Sequence, residues 1–393
     1  MVPLLAGLLA LQAGCGAPSE ASASPQVSSE PASKASSCDT PPSPSGGELP
    51  PRFVYVANQN SHDISAFSVG GSGALTPVGA PVGVGLYPEA IALHPNGRSL
   101  FVANHGSNTV SVLSVDPERG TLRNNGPELV NAGSGPRAIV SHPGGRWVFV
   151  GNEDARAGAS TNRVTTYQVD SATDRLVAAG AVETGSAGLV AMALDRSGRF
   201  LYTANSLGDS VTLFQVDTCS GGLARSAEVD VPFPVALSAS QSGDFLYVAS
   251  NGPSPSVRTF AIEPTTGALS AIANLTGSFS PWSLRAMRLD ASGEFLALVS
   301  LGRSPADDDS AFVSTLAIDL ETGAPLPTRA SSVEAGANAV GVALGSRRLA
   351  YVSNFGSNDI SSYSFDPAQG GATPLGSVPA GSGPCALAIA TGP

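Results

Sequence analysis

Short apolar runs alternate with Gly-, Asn- and Asp-rich breaks along the chain, and one phrase keeps returning. It reads RFVYVANQNSHDISAFSV from Arg52, SLFVANHGSNTVSVLSVD from Ser99 and RFLYTANSLGDSVTLFQVD from Arg199, with further copies from Arg146, Asp244, Glu294 and Arg348. The copies lie roughly 45–55 residues apart, the period of four-stranded propeller blades rather than of helical or leucine-rich repeats. Each period divides into four β runs. In the second, EAIALHP (strand A) passes through NGR into SLFVAN (strand B); Asn-Gly suits a tight hairpin because both residues tolerate positive φ. The same turn returns as PGGR, RSGR, QSGD and ASGE. Strand C is TVSVLSVD, and a DPERGTL turn leads to a polar strand D near GPELVNAG. Strands A and B are apolar on both faces, which predicts inner strands packed between neighbouring sheets, and the polar D runs predict a rim.

The ends fix the count. The repeats begin on a B strand, Phe53–Asn58, and finish on an orphan A strand, GPCALAIA, so first and last pieces are expected to share one blade. Seven B and seven A strands then give an all-β, seven-bladed β-propeller over residues 52–391, closed by the C-terminal strand pairing with the N-terminal blade. Such closure removes the open edges that template aggregation.

Composition agrees: 45 glycines, 31 prolines and only 13% charged residues suit short strands and turns. The net charge is −11 and Lys34 is the only lysine, so no basic stripe exists to neutralise phosphates and nucleic acid is not an expected partner. Residues 1–15, MVPLLAGLLALQAGC, end an apolar run of about a dozen residues on small residues before Cys15, too short to span a bilayer. They read as an export signal, and LQAGC resembles the lipobox of bacterial lipoproteins, which implies a lipidated Cys15. Residues 16–51 are rich in Ser, Pro and Ala with almost no large apolar residue, and are expected to form a disordered tether. The expected location is the cell envelope, with the membrane reached only through the lipid anchor. Cys38, Cys219 and Cys385 leave the disulfide pairing open; Cys385, in an apolar strand, reads as a small core residue.

The units YVAN and YVSN, with VDPERGTL, EPTTGALS and DLETGAPL after strand C, resemble the YVTN-repeat proteins and the seven-bladed lactonase family that includes 6-phosphogluconolactonase. The resemblance covers residues 52–391. It implies a site on the face where inner strands begin, with a GPRH strand start, an NE after strand B and a further His. Here Gly135, Pro136 and Arg137 are followed by Ala138 in place of the His, with Asn152 and Glu153 after them, in an earlier blade than the family uses. In the family's blade FPVALSASQSGDFLYVASNG has neither Arg nor His, Gly252 stands in place of Glu, and in the next blade Arg288 stands where the further His is expected.

Lactone hydrolysis needs a base to activate water and donors to hold the oxyanion. His94 and His142 precede proline in A–B turns and read as turn caps; His62 and His105 lie in B–C loops and read as solvated. Glu89, Arg137, Glu153, Asp154, Trp282 and Arg285 fall on loops expected to gather at the funnel mouth, Arg137 and Glu153 being the catalytic candidates, with Arg137 paired to Glu153 or Asp154 as the plain structural alternative. Asn58, Asn104, Asn152, Asn205, Asn251 and Asn354 end B strands and are expected to bond the backbone of the following turn, Asn being a residue that tolerates left-handed φ. Asp307–Asp309 lack the alternating ligands of a calcium loop, so no metal and no cofactor is expected. The leading expectation is an exported, lipid-anchored monomer that binds a small polar ligand or a peptide at its funnel as a scaffold. The alternative is a lactonase-family hydrolase.

Overall fold

An apolar run of six residues needs cover on both faces, and stacked sheets supply it. The computed structural model describes residues 49–124, 130–153, 162–170, 172–252, 254–277, 283–302, 310–346, 348–366 and 371–392. These residues form seven antiparallel sheets, each with its strands in the spatial order A, B, C, D. Blade 2 is typical: A is Pro88–Leu93, B Ser99–Asn104, C Thr109–Val115, and D is split into Leu122–Asn124 and Val130–Asn131. Consecutive A strands touch one another around a closed ring. The fold is a seven-bladed β-propeller.

Closure follows the expected route. The last strand, Pro384–Thr391, pairs antiparallel with the first, Pro51–Asn58, in a register running from Phe53↔Ala390 to Ala57↔Ala386. The chain therefore enters blade 1 at the A–B turn side, opposite the B–C loops.

Burial separates A from B. The B strands of blades 2, 3, 4 and 7 are buried throughout, because each lies in mid-sheet between two neighbouring blades. The clusters run across blade boundaries, as where Phe53 and Tyr55 meet Leu100, Val102 and Leu113. The A strands are not doubly buried as B is: Glu89–Leu93 is only partly covered, since its inner side opens on the central channel. The D strands are exposed, as in Val177 to Gly180. Glycines in the C–D turns lock neighbours together; Gly221 (φ 71°) leaves no room for a Cβ against the Trp147 ring of the blade before. The Asp after strand C caps that turn, Asp116 Oδ1 accepting from the Glu118 and Arg119 amides at 2.9 and 3.0 Å.

One irregularity repeats in all seven blades. The A–B register slips by one residue at the start of strand A, and the extra residue is Cys385, Glu89, Arg137, Val190, Val235, Arg285 or Val340 in blades 1 to 7. A bulge re-aims its side chain and bends the strand. The residue preceding the strand takes positive φ in six blades: Tyr87, Gly135, Gly188, Phe233, Asn338 and Gly383. In four places its amide donates to a positive-φ residue of the preceding B–C turn: Tyr87 to His62 Nδ1 (3.2 Å), Gly135 to Asn108 (2.8 Å), Phe233 to Asp209 (2.8 Å) and Gly383 to Asn358 (2.7 Å). These bonds fix where the A strands of blades 1, 2, 3 and 5 begin.

Candidate functional site at the channel mouth

Glu89, Arg137 and Arg285 are not loop residues. Each is the bulged residue of an A strand, so a sheet rather than a loop sets its position. A second ring is formed by the residue just past each B strand: Gln59, His105, Glu153, Ser206, Asn251, Gly302 and Phe355. Together the rings divide the mouth. Blades 1 to 3 contribute Cys385, Gln59, Glu89, His105, Arg137 and Glu153, whereas blades 4, 5 and 7 present Val190, Val235 and Val340.

Arg137 is clamped between two carboxylates. Its Nη1 donates to Glu153 Oε2 at 2.5 Å and its Nε lies 3.5 Å from Glu89 Oε2. The Arg137 side chain is 40% exposed, against 21% for Glu89 and 19% for Glu153. Burial alone would lower the guanidinium pKa, but the bond to Glu153 and the two negative charges outweigh it and raise the value. The plain pairing of Arg137 with Glu153 is thus present, extended by Glu89. Gln59 Nε2 donates to the other Glu89 oxygen, Oε1, at 3.2 Å, so both oxygens of Glu89 are engaged. Glu153 Oε1 has no protein partner among the described residues. Two side chains, Gln59 and Glu89, come from neighbouring blades and meet because blades 1 and 2 stack side by side.

His62 and His105 are not simply solvated. His62 Nδ1 lies 2.9 Å from the Gln59 carbonyl and its ring packs edge-on against Tyr87 at 4.9 Å. His105 is half-buried, and a Cβ at Gly135 would lie 3.3 Å from its Nε2 and 2.4 Å from the Glu153 carbonyl. His94 and His142 do cap their turns, their Nδ1 atoms accepting from the amides of Asn96 (3.1 Å) and Gly144 (2.9 Å).

Other expectations change in detail. Cys385 carries a free thiol and packs against the core cluster shared by blades 1 and 2, at its mouth end. Burial, with the Glu89 charge, pushes it up to about 12, so it stays a thiol and donates to the Pro88 carbonyl at 3.1 Å. Cys219 is disulfide-bonded. The asparagines do not take left-handed φ; the turn residues His62, Asn108, Asp209 and Asn358 do. Their amides cross the hairpin to strand C instead, as in Asn104 Nδ2 to Thr109 Oγ1 (3.2 Å) and Ser111 Oγ (2.9 Å). Asn251 departs from the ring, lying beyond its strand and bonding the Leu284 amide (2.7 Å) and carbonyl (2.8 Å) of the next blade. Asp154, Trp282, Asp307–Asp309, Cys15 and Cys38 lie outside the described residues. Among the described residues no cluster of three His, Cys, Asp or Glu groups is placed to hold a metal ion.

This architecture has known counterparts. The family model described as lactonase, 7-bladed beta-propeller, matches residues 50–130 and 127–278, more than half of the chain. The chain belongs to that lactonase propeller family. A 6-phosphogluconolactonase of Formosa agariphila is 37% identical over 86 residues, which cover 21% of this chain and 24% of that protein; the match spans about a quarter of that relative's length. Among solved structures, a periplasmic gluconolactonase of Pseudomonas aeruginosa superposes with a TM-score of 0.70 at 21% identity, covering 87% of this chain and 99% of that one. A putative 6-phosphogluconolactonase of Bacteroides fragilis gives 0.72 at 17% identity, covering 89% and 99%. At these identities the superpositions speak to the fold. Membership of the lactonase family favours the hydrolase alternative over the scaffold reading.

Proposed function

We propose that the protein hydrolyses a lactone at the funnel mouth. The observation that carries this is Arg137, held on a bulge between Glu89 and Glu153 in a propeller of the lactonase family. The guanidinium donates to the lactone carbonyl oxygen and holds the oxyanion as it forms. Glu153 uses its open Oε1 to take a proton from water, whose oxygen attacks the carbonyl carbon. The ring C–O bond then breaks, the proton passes to the leaving alkoxide, and a hydroxy acid is released as its carboxylate. Glu89, fully engaged by Gln59 and Arg137, is a positioning residue. The family would carry a histidine beside the arginine; Ala138 stands there, and a carboxylate base replaces it.

We assign the protein to the cell envelope. The apolar leader ending at Cys15 supports this, as does the disulfide at Cys219, since such bonds persist in oxidising compartments. A periplasmic gluconolactonase among the structural relatives points the same way.

Acid release from glucono-δ-lactone, followed at constant pH, tests the activity. The wild type is expected to exceed the spontaneous rate, and Glu153→Gln to lower kcat about 10²-fold or more. No rate above background, or an unaffected Glu153→Gln variant, overturns the assignment.

A further inference from the structure

Strand A of blade 6, Ser283–Leu289, differs from the other six. It carries two arginines on the channel side: Arg285 at the bulge and Arg288 three residues deeper, about 10 Å along the strand. Leu284 and Met287 point into the sheets and are buried, whereas Arg285 and Arg288 are exposed. Neither arginine has a hydrogen-bond or ion-pair partner among the described residues. The carboxylates nearby are committed elsewhere. Asp290 accepts from Ser292 and from the Phe295 amide, and Asp195 accepts from Ser197 and from the Phe200 amide. Glu89 and Glu153 hold Arg137.

The sequence has also made room for this charge. At the position of Arg288 the other blades carry Ala92, Val140, Ala193, Ser238, Ala343 and Ala388, and each is paired with an aromatic residue on strand B: Phe101, Phe149, Tyr202, Tyr247, Tyr351 and Tyr55. In blade 6 alone the partner is small, Ala297. Arg288 opens on a channel cavity of about 900 Å³ whose walls combine Ile91, Ile139 and Met192 with the polar Asp195, Ser238 and Gln241. A guanidinium that faces the channel with no carboxylate paired to it among the described residues keeps its donors free for an anion.

We propose that Arg285 and Arg288 form a carboxylate-binding wall that takes the ring-opened hydroxy acid from the reaction centre into the channel. The identity of the anion rests on the hydrolase reading; the site itself does not. A neutral lactone gains nothing from these arginines, whereas its product carries a carboxylate that a guanidinium fork grips with two parallel hydrogen bonds. The wall is thus selective for product over substrate.

Calorimetric titration of the full chain with gluconate, inorganic phosphate and the neutral polyol sorbitol tests this. Gluconate is expected to bind and sorbitol not. Arg285→Gln and Arg288→Gln are each expected to weaken gluconate about tenfold, with thermal melts confirming that both variants fold. Unchanged gluconate affinity in the variants, or no binding to the wild type, overturns the site. Phosphate binding as tightly as gluconate overturns the assignment to a carboxylate product. A chain that binds gluconate through these arginines but opens no lactone retains the wall and loses the hydrolase reading.

Discussion

A carboxylate that holds an arginine with one oxygen keeps the other for chemistry, and this separates Glu153 from Glu89. Both pair with Arg137, but Gln59 occupies the second oxygen of Glu89. Glu89→Gln is therefore expected to cost about tenfold in kcat/KM, well short of the loss in Glu153→Gln, and steady-state kinetics on the two variants check the order. At the opposite face His142 gives a stability signal. Burial is the largest influence on it and lowers its pKa, the Gly198 backbone and Asp195 acting weakly against this. The unfolded chain then binds the proton more readily than the fold, so this contribution is complete above about pH 6.5 and is lost as pH falls towards the lowered native value. His142→Asn, which keeps a turn-capping acceptor, is expected to flatten the acid limb of the melting temperature between about pH 6.5 and 5.

At the scale of one element, the site depends on how strand A begins. Gly135 has φ 59°, donates its amide to Asn108, and its carbonyl accepts from the Glu153 amide at 2.8 Å. A Cβ there would lie 2.4 Å from the Glu153 carbonyl, so Gly135→Ala must push apart the two segments that carry Arg137 and Glu153. Displacements of about 1 Å can cost about 10²-fold in rate. The expected result is a folded protein with a small loss of melting temperature and a kcat/KM reduced by at least about tenfold. Turn chemistry of this kind was partly legible. The Asn-Gly and Ser-Gly hairpins announced the A–B turns, but nothing local in LYPEA, SGPRA or SGPCA announces a bulge. A bulge is a property of two paired strands, and Glu89 and Arg137 therefore looked like loop residues. The same holds for Asn58, Asn104, Asn205 and Asn354: their partners lie five and seven residues on, across the hairpin, and come into reach only in the paired register.

For the whole molecule, closure is the central constraint. Strand Pro384–Thr391 supplies the inner neighbour of the first strand and brings Cys385 to the mouth. Truncation before Gly383 is expected to expose the edge of Pro51–Asn58, abolish a single cooperative melting transition and cause association, as read by calorimetry and size-exclusion chromatography. The two ends meet although nearly the whole propeller separates them in sequence.

The sequence by itself determined the period, the four strands per period, the number of blades and the strand exchange that closes the ring, because each of these is written in local hydrophobic alternation and turn residues. It also supplied Arg137 and Glu153, sixteen residues apart in one hairpin. Only the tertiary structure decided that Glu89 and Gln59 complete their cluster, that Cys385 joins the mouth, and that Arg285 and Arg288 share the channel wall with no ion-pair partner among the described residues. Blades are stacked by interchangeable apolar faces, so a linear repeat shows that neighbours exist. Which polar side chains converge depends on the twist, the bulges and the closing of seven sheets about one axis.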